Sequence, residues 1–358
     1  MARIRLGIVG CGEVVQIIHL PTLALLPDQF TVTALCDVSA TVLGGVGDQW
    51  GVARRDTDYR NLLRSPDVDA VLVTNPHAYH MEVVQAACAA GKHVFVEKPM
   101  CLTLAEADAI IAAQARAGVT VQVGYMRRYA PAFVEACRLV REMDTIQLAH
   151  VHDVIGRNAL IIGQVARVIR ATDVPNDLVA AGQALQAERV REAIGDAPPD
   201  VWSAYMLLLG LSSHDISAMR ELLGVPERVL YAAQRQGGRY LTAAFDYGTY
   251  VCHFETGVDT LPRSDTYMAV YGPARTVHLR YGTPYVRNLP IRLTITEPDG
   301  AGGVSERTVQ PSWEDAFHVE WRAFHHNVTT GTAPKTTPTD ARQDLALFGE
   351  MARLMMGG

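Results

Sequence analysis

Short continuous apolar runs alternate with helix-patterned stretches over the first 125 residues, and the first run ends in Gly10-Cys11-Gly12. This alternation leaves few folds open. Apolar runs without polar alternation must be covered on both faces, which requires a parallel sheet with helices on either side. The strands read as Ile4–Val9, Thr31–Cys36, Ala70–Thr74, His93–Val96 and Val119–Gly124. Helical spacing falls at Val14–Leu26 and Tyr79–Ala90, with Gly91 where a left-handed cap is expected. Thr103-Leu104-Ala105-Glu106 has the form of a capping box and opens a helix that stops at Gly118.

The remaining residues change character. Residues 130–143 read as a helix, 145–155 as a strand, and 156–200 as a polar, Ala-rich helical stretch broken at Asp173–Asp177 and Asp196–Asp200. From Val229 to Glu297 apolar and polar residues alternate, with turns at Gly237-Gly238 and Tyr271-Gly272-Pro273. Helices at about 314–330 and 340–356 close the chain. The expected fold class is α/β: an N-terminal Rossmann dinucleotide-binding domain, 1–125, and a C-terminal α+β domain, 126–358, with a large, mostly antiparallel sheet. The last helix is free to pack back on the first domain.

Composition narrows the function. The balance of 32 Lys+Arg against 38 Asp+Glu is mildly acidic, with no basic stripe to neutralise phosphates, which argues against a nucleic-acid partner. No apolar run reaches the roughly 18–20 residues that span a bilayer. The run after Arg3 and Arg5 meets Gly10 too soon to serve as a signal peptide. Six scattered cysteines show neither a C-x-x-C pair nor zinc spacing, so reduced thiols, a cytoplasmic location and no metal are expected. Cys11 reads as a small packed residue and His325-His326 as surface.

Gly10-Cys11-Gly12-Glu13-Val14-Val15 matches G-x-G-x-x-G in its first two glycines, with Val15 in the third place. It follows a strand and opens a helix, where free N–H groups and the helix dipole favour a pyrophosphate. Val15 should loosen the packing of helix on strand. Asp37 closes the second strand, where its carboxylate suits a ribose diol. Val38 follows it, with no Arg or Lys for a 2′-phosphate, so NAD is expected over NADP.

At this point the chain resembles the Gfo/Idh/MocA (glucose–fructose oxidoreductase/inositol dehydrogenase) family. The matching stretches are Leu6–Gly12, Thr74–His80, Gly91–Pro99 with its Glu97-Lys98-Pro99, Val123–Tyr129, Ser213–Ile216 and Tyr271–Ala274. The resemblance is weakest over 156–205. It implies that Lys98 is the catalytic residue beside the nicotinamide. A lysine whose pKa is lowered by burial or a nearby cation can accept and return the proton of an alcohol. It also implies that Glu97, Thr74, Asn75, Pro76 and His80 line the cofactor, with Gly10, Gly12, Glu13, Val14, Asp37 and Arg127. His80 reads equally as a satisfied histidine at a helix start.

His214 matches the second catalytic histidine of the family, which usually follows an aspartate by four residues. Here that position is Gly210. Asp153 or Asp177 is a candidate stand-in; Asp215 reads better as a first-turn acid of a helix starting at Ser212-Ser213. Tyr125, Arg128, Asp153, Lys98 and His214 are the substrate-side candidates. An ion pair is an equal reading for Arg127 and Arg128. On a strand, His152 must face away from Asp153.

The leading reading is an NAD-dependent oxidoreductase passing a hydride between nicotinamide and a secondary alcohol or ketone of a sugar, cyclitol or sugar derivative. A second keeps NAD tightly bound and uses transient oxidation for elimination, epimerisation or glycoside cleavage. A third is a non-catalytic NAD-binding sensor or partner module. The resemblance also suggests a homodimer or homotetramer built through the C-terminal sheet.

Overall fold

A computed structural model describes residues 3–357. The chain divides into two compact units. The first runs up to Gly124 and takes in Ala166–Gly195 and Glu320–Leu345; the second comprises Tyr125–Val165, Asp196–Val319 and the chain from Ala346 onward. Two segments expected in the C-terminal domain thus group with the Rossmann unit, and the last helix, Pro338–Met356, is shared.

The first unit is built on a parallel sheet of β1 (Ile4–Val9), β2 (Phe30–Cys36), β3 (Arg54–Asp56), β4 (Ala70–Val73), β5 (His93–Glu97) and β6 (Val121–Gly124). Their order is β3-β2-β1-β4-β5-β6, so the winding reverses between β1 and β4. In such sheets ligands bind outside the carboxyl ends of the strands at that reversal. Leu6, Ile8, Phe30, Leu35, Leu72 and Phe95 form one buried cluster with Trp321 and Phe324 of the helix Ala316–Thr330. That packing accounts for the late segment joining this unit. It also corrects the surface reading of His325, which is buried with its ring edge against Phe30. The capping box forms as read: Glu106 N–H donates to Thr103 Oγ1, and Thr103 N–H donates back to Glu106 Oε2.

The expected helix after the glycines begins as a π-helical turn over Val15–His19 and continues as an α-helix over Leu20–Ala24. Val15 is buried in the core cluster.

The second unit holds β7 (Leu148–Ile155), β8 (Arg228–Arg235), β9 (Tyr240–Asp246), β10 (Val251–Val258), β11 (Ser264–Tyr271), β12 (Thr276–Tyr281), β13 (Arg292–Pro298) and β14 (Val304–Val309). Their order is β14-β13-β12-β11-β7-β10-β9-β8, antiparallel except where β7 and β10 run together. Strand alternation puts Ala149, Val151 and Asp153 on the buried face, against which the helices Pro131–Arg141 and Ser213–Leu223 pack. His150 and His152 look the other way. The strand β14 escaped the sequence pattern because its residues are mostly polar and nearly all exposed, with no apolar alternation to mark it.

Candidate functional site

Three loops gather at the carboxyl ends of β1, β4 and β5. Gly10 has a φ of +91°, and a Cβ there would lie 2.5 Å from the Asn75 nitrogen, so no other residue fits. At Gly12 a Cβ would meet nothing within 4 Å, which leaves the backbone open to a close ligand. Gly10 N–H donates to the Cys36 carbonyl over 2.8 Å, and the Thr74 hydroxyl donates to the Gly10 carbonyl over 2.6 Å. Thr74 therefore braces the loop. Asp37 accepts from the Cys11 N–H at 2.8 Å through one oxygen and from the Ser39 N–H at 2.9 Å through the other. A carboxylate still has lone pairs to offer after two such bonds.

Asn75 carries a buried side-chain oxygen with no hydrogen-bond partner among the described residues. Such an atom is costly unless something completes it. His80 sets one nitrogen 2.8 Å from the Pro99 carbonyl and the other 2.7 Å from the Asn75 carbonyl. It thus ties the loop after β4 to the loop after β5. Burial pushes its pKa down, against those two carbonyls, which favour the protonated ring. Its two nitrogens both face main-chain carbonyls, which places His80 between the two loops.

Lys98 follows the end of β5 and is half-buried. Its own N–H donates to Glu97 Oε2 at 3.1 Å. The other Glu97 oxygen meets His19 Nε2 at 3.0 Å, and Trp321 Nε1–H donates to His19 Nδ1 at 3.1 Å. Burial pushes the Glu97 pKa up, but the His19 hydrogen bond and the Lys98 charge outweigh it, and the net shift is downward. Beside it, burial and then the His80 and Lys98 charges lower His77 to about 3.

The segment Ala166–Gly195 fastens onto the same loops. The Gln16 amide exchanges two bonds with Ile169, donating to its carbonyl at 2.9 Å and accepting from its N–H at 2.8 Å. Arg170 pairs with Glu13 at 2.8 Å. The Asp173 carboxylate takes the Ser39 hydroxyl and, at 2.9 Å, the Thr41 N–H. Pro76 and Val14 flank these loops as the Pro76 cap of the turn His77–Tyr79 and the residue before the π turn.

In the second unit, Arg127 is buried between Asp153 and Asp215. It meets Asp153 at 3.2 Å through both terminal nitrogens, and its guanidinium lies 5.2 Å from the Tyr281 ring centre. Asp153 also accepts from the Thr266 hydroxyl at 2.5 Å. Burial raises the Asp215 carboxyl well above the usual range; Arg127 opposes this and neighbouring Asp153 adds to it. Asp215 lies in the first turn of the helix Ser213–Leu223, as read, and its carboxylate also joins this ion cluster. Arg127 and Asp153 pair with each other, in line with the ion-pair reading of Arg127. Arg128 is likewise buried and pairs with Glu221 at 2.6 Å. His214 is 8% exposed, with the Tyr125 ring edge-on at 6.3 Å. Asp177, the other stand-in considered for Gly210, is exposed on the helix Asn176–Ile194.

His19, Trp321, Gln16 and Asp173 were invisible as site residues in the sequence, because none sits in a motif and their partners are distant. The open Gly12, the orphaned Asn75 oxygen and the anchored Asp37 together fit a dinucleotide.

Fold and site define a Rossmann-type dinucleotide-binding unit joined to an open, mostly antiparallel sheet unit. Residues 4–125 match the model of the Gfo/Idh/MocA oxidoreductase family, NAD-binding Rossmann fold. It is 34% identical over 131 residues to an uncharacterized oxidoreductase, YrbE, of Bacillus subtilis, covering 37% of this chain and 38% of that one. It is 33% identical over 151 residues to inositol 2-dehydrogenase of Salmonella typhimurium, covering 42% and 45%. The matched stretches therefore span less than half of these curated relatives. Over nearly the whole chain the fold resembles aldose-aldose oxidoreductase from Caulobacter crescentus (TM-score 0.75, 20% identity, 98% of both chains). It also resembles a 3-ketoreductase from Actinomadura kijaniata in complex with NADP and TDP-benzene (TM-score 0.75, 19% identity, 99% and 98%). At that identity the likeness is one of fold. No helix among the described residues is long and apolar enough to cross a membrane.

Proposed function

We propose that the protein is a cytoplasmic, NAD-dependent oxidoreductase acting on a secondary alcohol or ketone of a sugar, cyclitol or sugar derivative. One observation carries the reading: Lys98 follows β5 at the sheet edge where the open Gly10–Gly12 loop follows β1 and Asn75 follows β4. Gly12, Asp37, Thr74 and Asn75 would hold the dinucleotide, with Glu13 and Val14 at the mouth of the loop. Once bound, the nicotinamide supplies the hydride acceptor or donor. Lys98 Nζ holds the proton that leaves or returns to the substrate oxygen, as general acid/base chemistry requires. Glu97, fixed by His19 and the Lys98 N–H, steadies the lysine main chain and balances its charge. On the family resemblance, His214 is the second proton site, with Tyr125 beside it.

The test is nicotinamide absorbance while the protein, with NAD, is offered sugars, cyclitols and their phosphates. A rise with one substrate class supports the reading; no change across the panel, with NAD bound, removes it. A second reading, a retained dinucleotide cycling through transient oxidation, is favoured by the Gln16–Ile169 and Glu13–Arg170 bonds across the glycine loop. It predicts a dinucleotide that survives gel filtration and substrate loss without net NADH. We further assign assembly with a second copy to the open sheet face bearing His150, His253 and Tyr271, checked by light scattering.

A further inference from the structure

We infer that Asp173 is a specificity-determining residue that excludes a 2′-phosphate and so selects NAD over NADP. The inference rests on the dinucleotide reading above. In a Rossmann unit the adenosine ribose lies by the acid that ends the second strand, and a 2′-phosphate must be housed by the residues just after that acid. Here Asp37-Val38-Ser39 leads into the helix Ala40–Trp50, whose first-turn N–H groups are the natural partners for that anion. A carboxylate from elsewhere in the chain has already taken this position. Asp173 Oδ2 accepts from the Thr41 N–H at 2.9 Å, and its other oxygen accepts from the Ser39 hydroxyl.

Three features make this exclusion rather than a decorative contact. Ser39 is wholly buried and its hydroxyl is used twice, since it also accepts from the Val42 N–H at 3.1 Å. Its proton is therefore committed to Asp173 and not to a phosphate. Asp37 adds a second carboxylate two residues before Ser39, and Val38, 55% exposed, offers no cation. A 2′-phosphate, carrying roughly −1.5 to −2 charges near neutral pH, would meet two fixed negative charges with no Lys or Arg in the stretch Asp37–Thr41 to offset them. Asp173 is held there by its segment: Ile169 is bonded to Gln16, and Arg170 is bonded to Glu13. The Ser39 and Thr41 bonds hold the exposed Asp173 carboxyl below the usual range, so it is charged at working pH. Specificity here comes from an added repulsive group that lies more than 130 residues from the loop it guards.

The experiment measures NADH and NADPH affinity by nicotinamide fluorescence for the wild type, Asp173→Asn and Asp173→Ala. The asparagine keeps the shape and one acceptor while removing the charge, so folding is not at issue. The expected result is a gain in NADPH affinity of about tenfold in Asp173→Asn, larger at low salt, with NADH affinity changed less than threefold. Thermal protection by 2′-phospho-ADP-ribose should appear in the variant alone, which reads binding without turnover. An unchanged NADPH:NADH ratio in both variants overturns the inference. So does a parallel loss of both affinities, which would make Asp173 only a fastener of its segment. If the wild type binds neither nucleotide, the dinucleotide reading itself falls, and Asp173 loses its role with it.

Discussion

Trp321 donates its indole N–H to His19 Nδ1 over 3.1 Å, which leaves the imidazole proton on Nε2, facing Glu97. Nδ1 can accept only with a lone pair, so the indole sets the tautomer. The chain of bonds from Trp321 through His19 and Glu97 ends on the main chain of Lys98. The Trp321 ring meanwhile stacks on Phe95 at 4.4 Å, beneath β5.

Replacing Trp321 with Phe keeps most of the stacking but deletes the N–H. We expect a loss of about 1 kcal/mol in guanidinium unfolding, the worth of one buried hydrogen bond. Trp321→Ala should cost about 3–5 kcal/mol, because it also opens a cavity. No measurable loss in Trp321→Phe would mean that the N–H bond contributes nothing separate.

Lys98→Ala should lower turnover by at least about a hundredfold, the scale of a lost general acid/base, while NADH still binds. Binding is read by fluorescence quenching and turnover by nicotinamide absorbance. Near-normal turnover removes Lys98 from the chemistry.

Glu97 gives the protein an acid limit. Its folded pKa lies below its ordinary value, so its contribution to stability is complete above the ordinary carboxylate range and is lost as pH falls through the depressed value. Thermal midpoints followed from pH 7 down to about pH 3 should fall steeply for the wild type and less steeply for Glu97→Gln. Parallel curves would show that Glu97 has no part in the acid transition.

Arg127 is one cation shared by two buried carboxyls, and the raised pKa of Asp215 identifies it as the one able to stay protonated. A raised folded pKa means that this carboxyl favours folding at low pH and loses that advantage as pH rises toward the folded value. Asp215→Asn should therefore cost less than about 1 kcal/mol at neutral pH, or even stabilise. Arg127→Met should cost about 3–5 kcal/mol, since it strands buried charge. Comparable losses from the two variants would contradict this division of roles.

Gly210 lies on a π-helical turn, Leu208–Ser212, where a Cβ meets nothing within 4 Å, and the resemblance drawn above sets it where an aspartate is usual. Gly210→Asp should fold with an unfolding free energy within about 1 kcal/mol of wild type. A large gain in dehydrogenase rate in that variant would show that the natural chain has moved away from simple dehydrogenation. An unchanged rate would show that no relay is missing.

Most of the strands, the glycine turn, the capping box at Thr103 and Glu106 and the mostly antiparallel sheet of the second unit were readable from the chain; the short polar β3 and the exposed β14 were not. Each depends on residues within a few positions of one another, where periodicity, capping and turn chemistry act directly. The sequence also placed Asp153 and His152 on opposite faces of β7, because strand geometry alone requires it. Partnership was decided elsewhere. Nothing local distinguishes Trp321 from any core tryptophan, or His19 from any buried histidine, across the 302 residues that separate them. Arg127 carried the right charge for a cofactor, yet burial required that the charge be neutralised, and Asp153 and Asp215 are the anions that packing brings to it. The stretch 166–195 looked like a polar helical insert, and only tertiary packing revealed that it grips the glycine loop and presents Asp173 to the helix after β2. Local sequence decides which face a side chain takes; which distant group it meets there is settled only when the chain closes on itself.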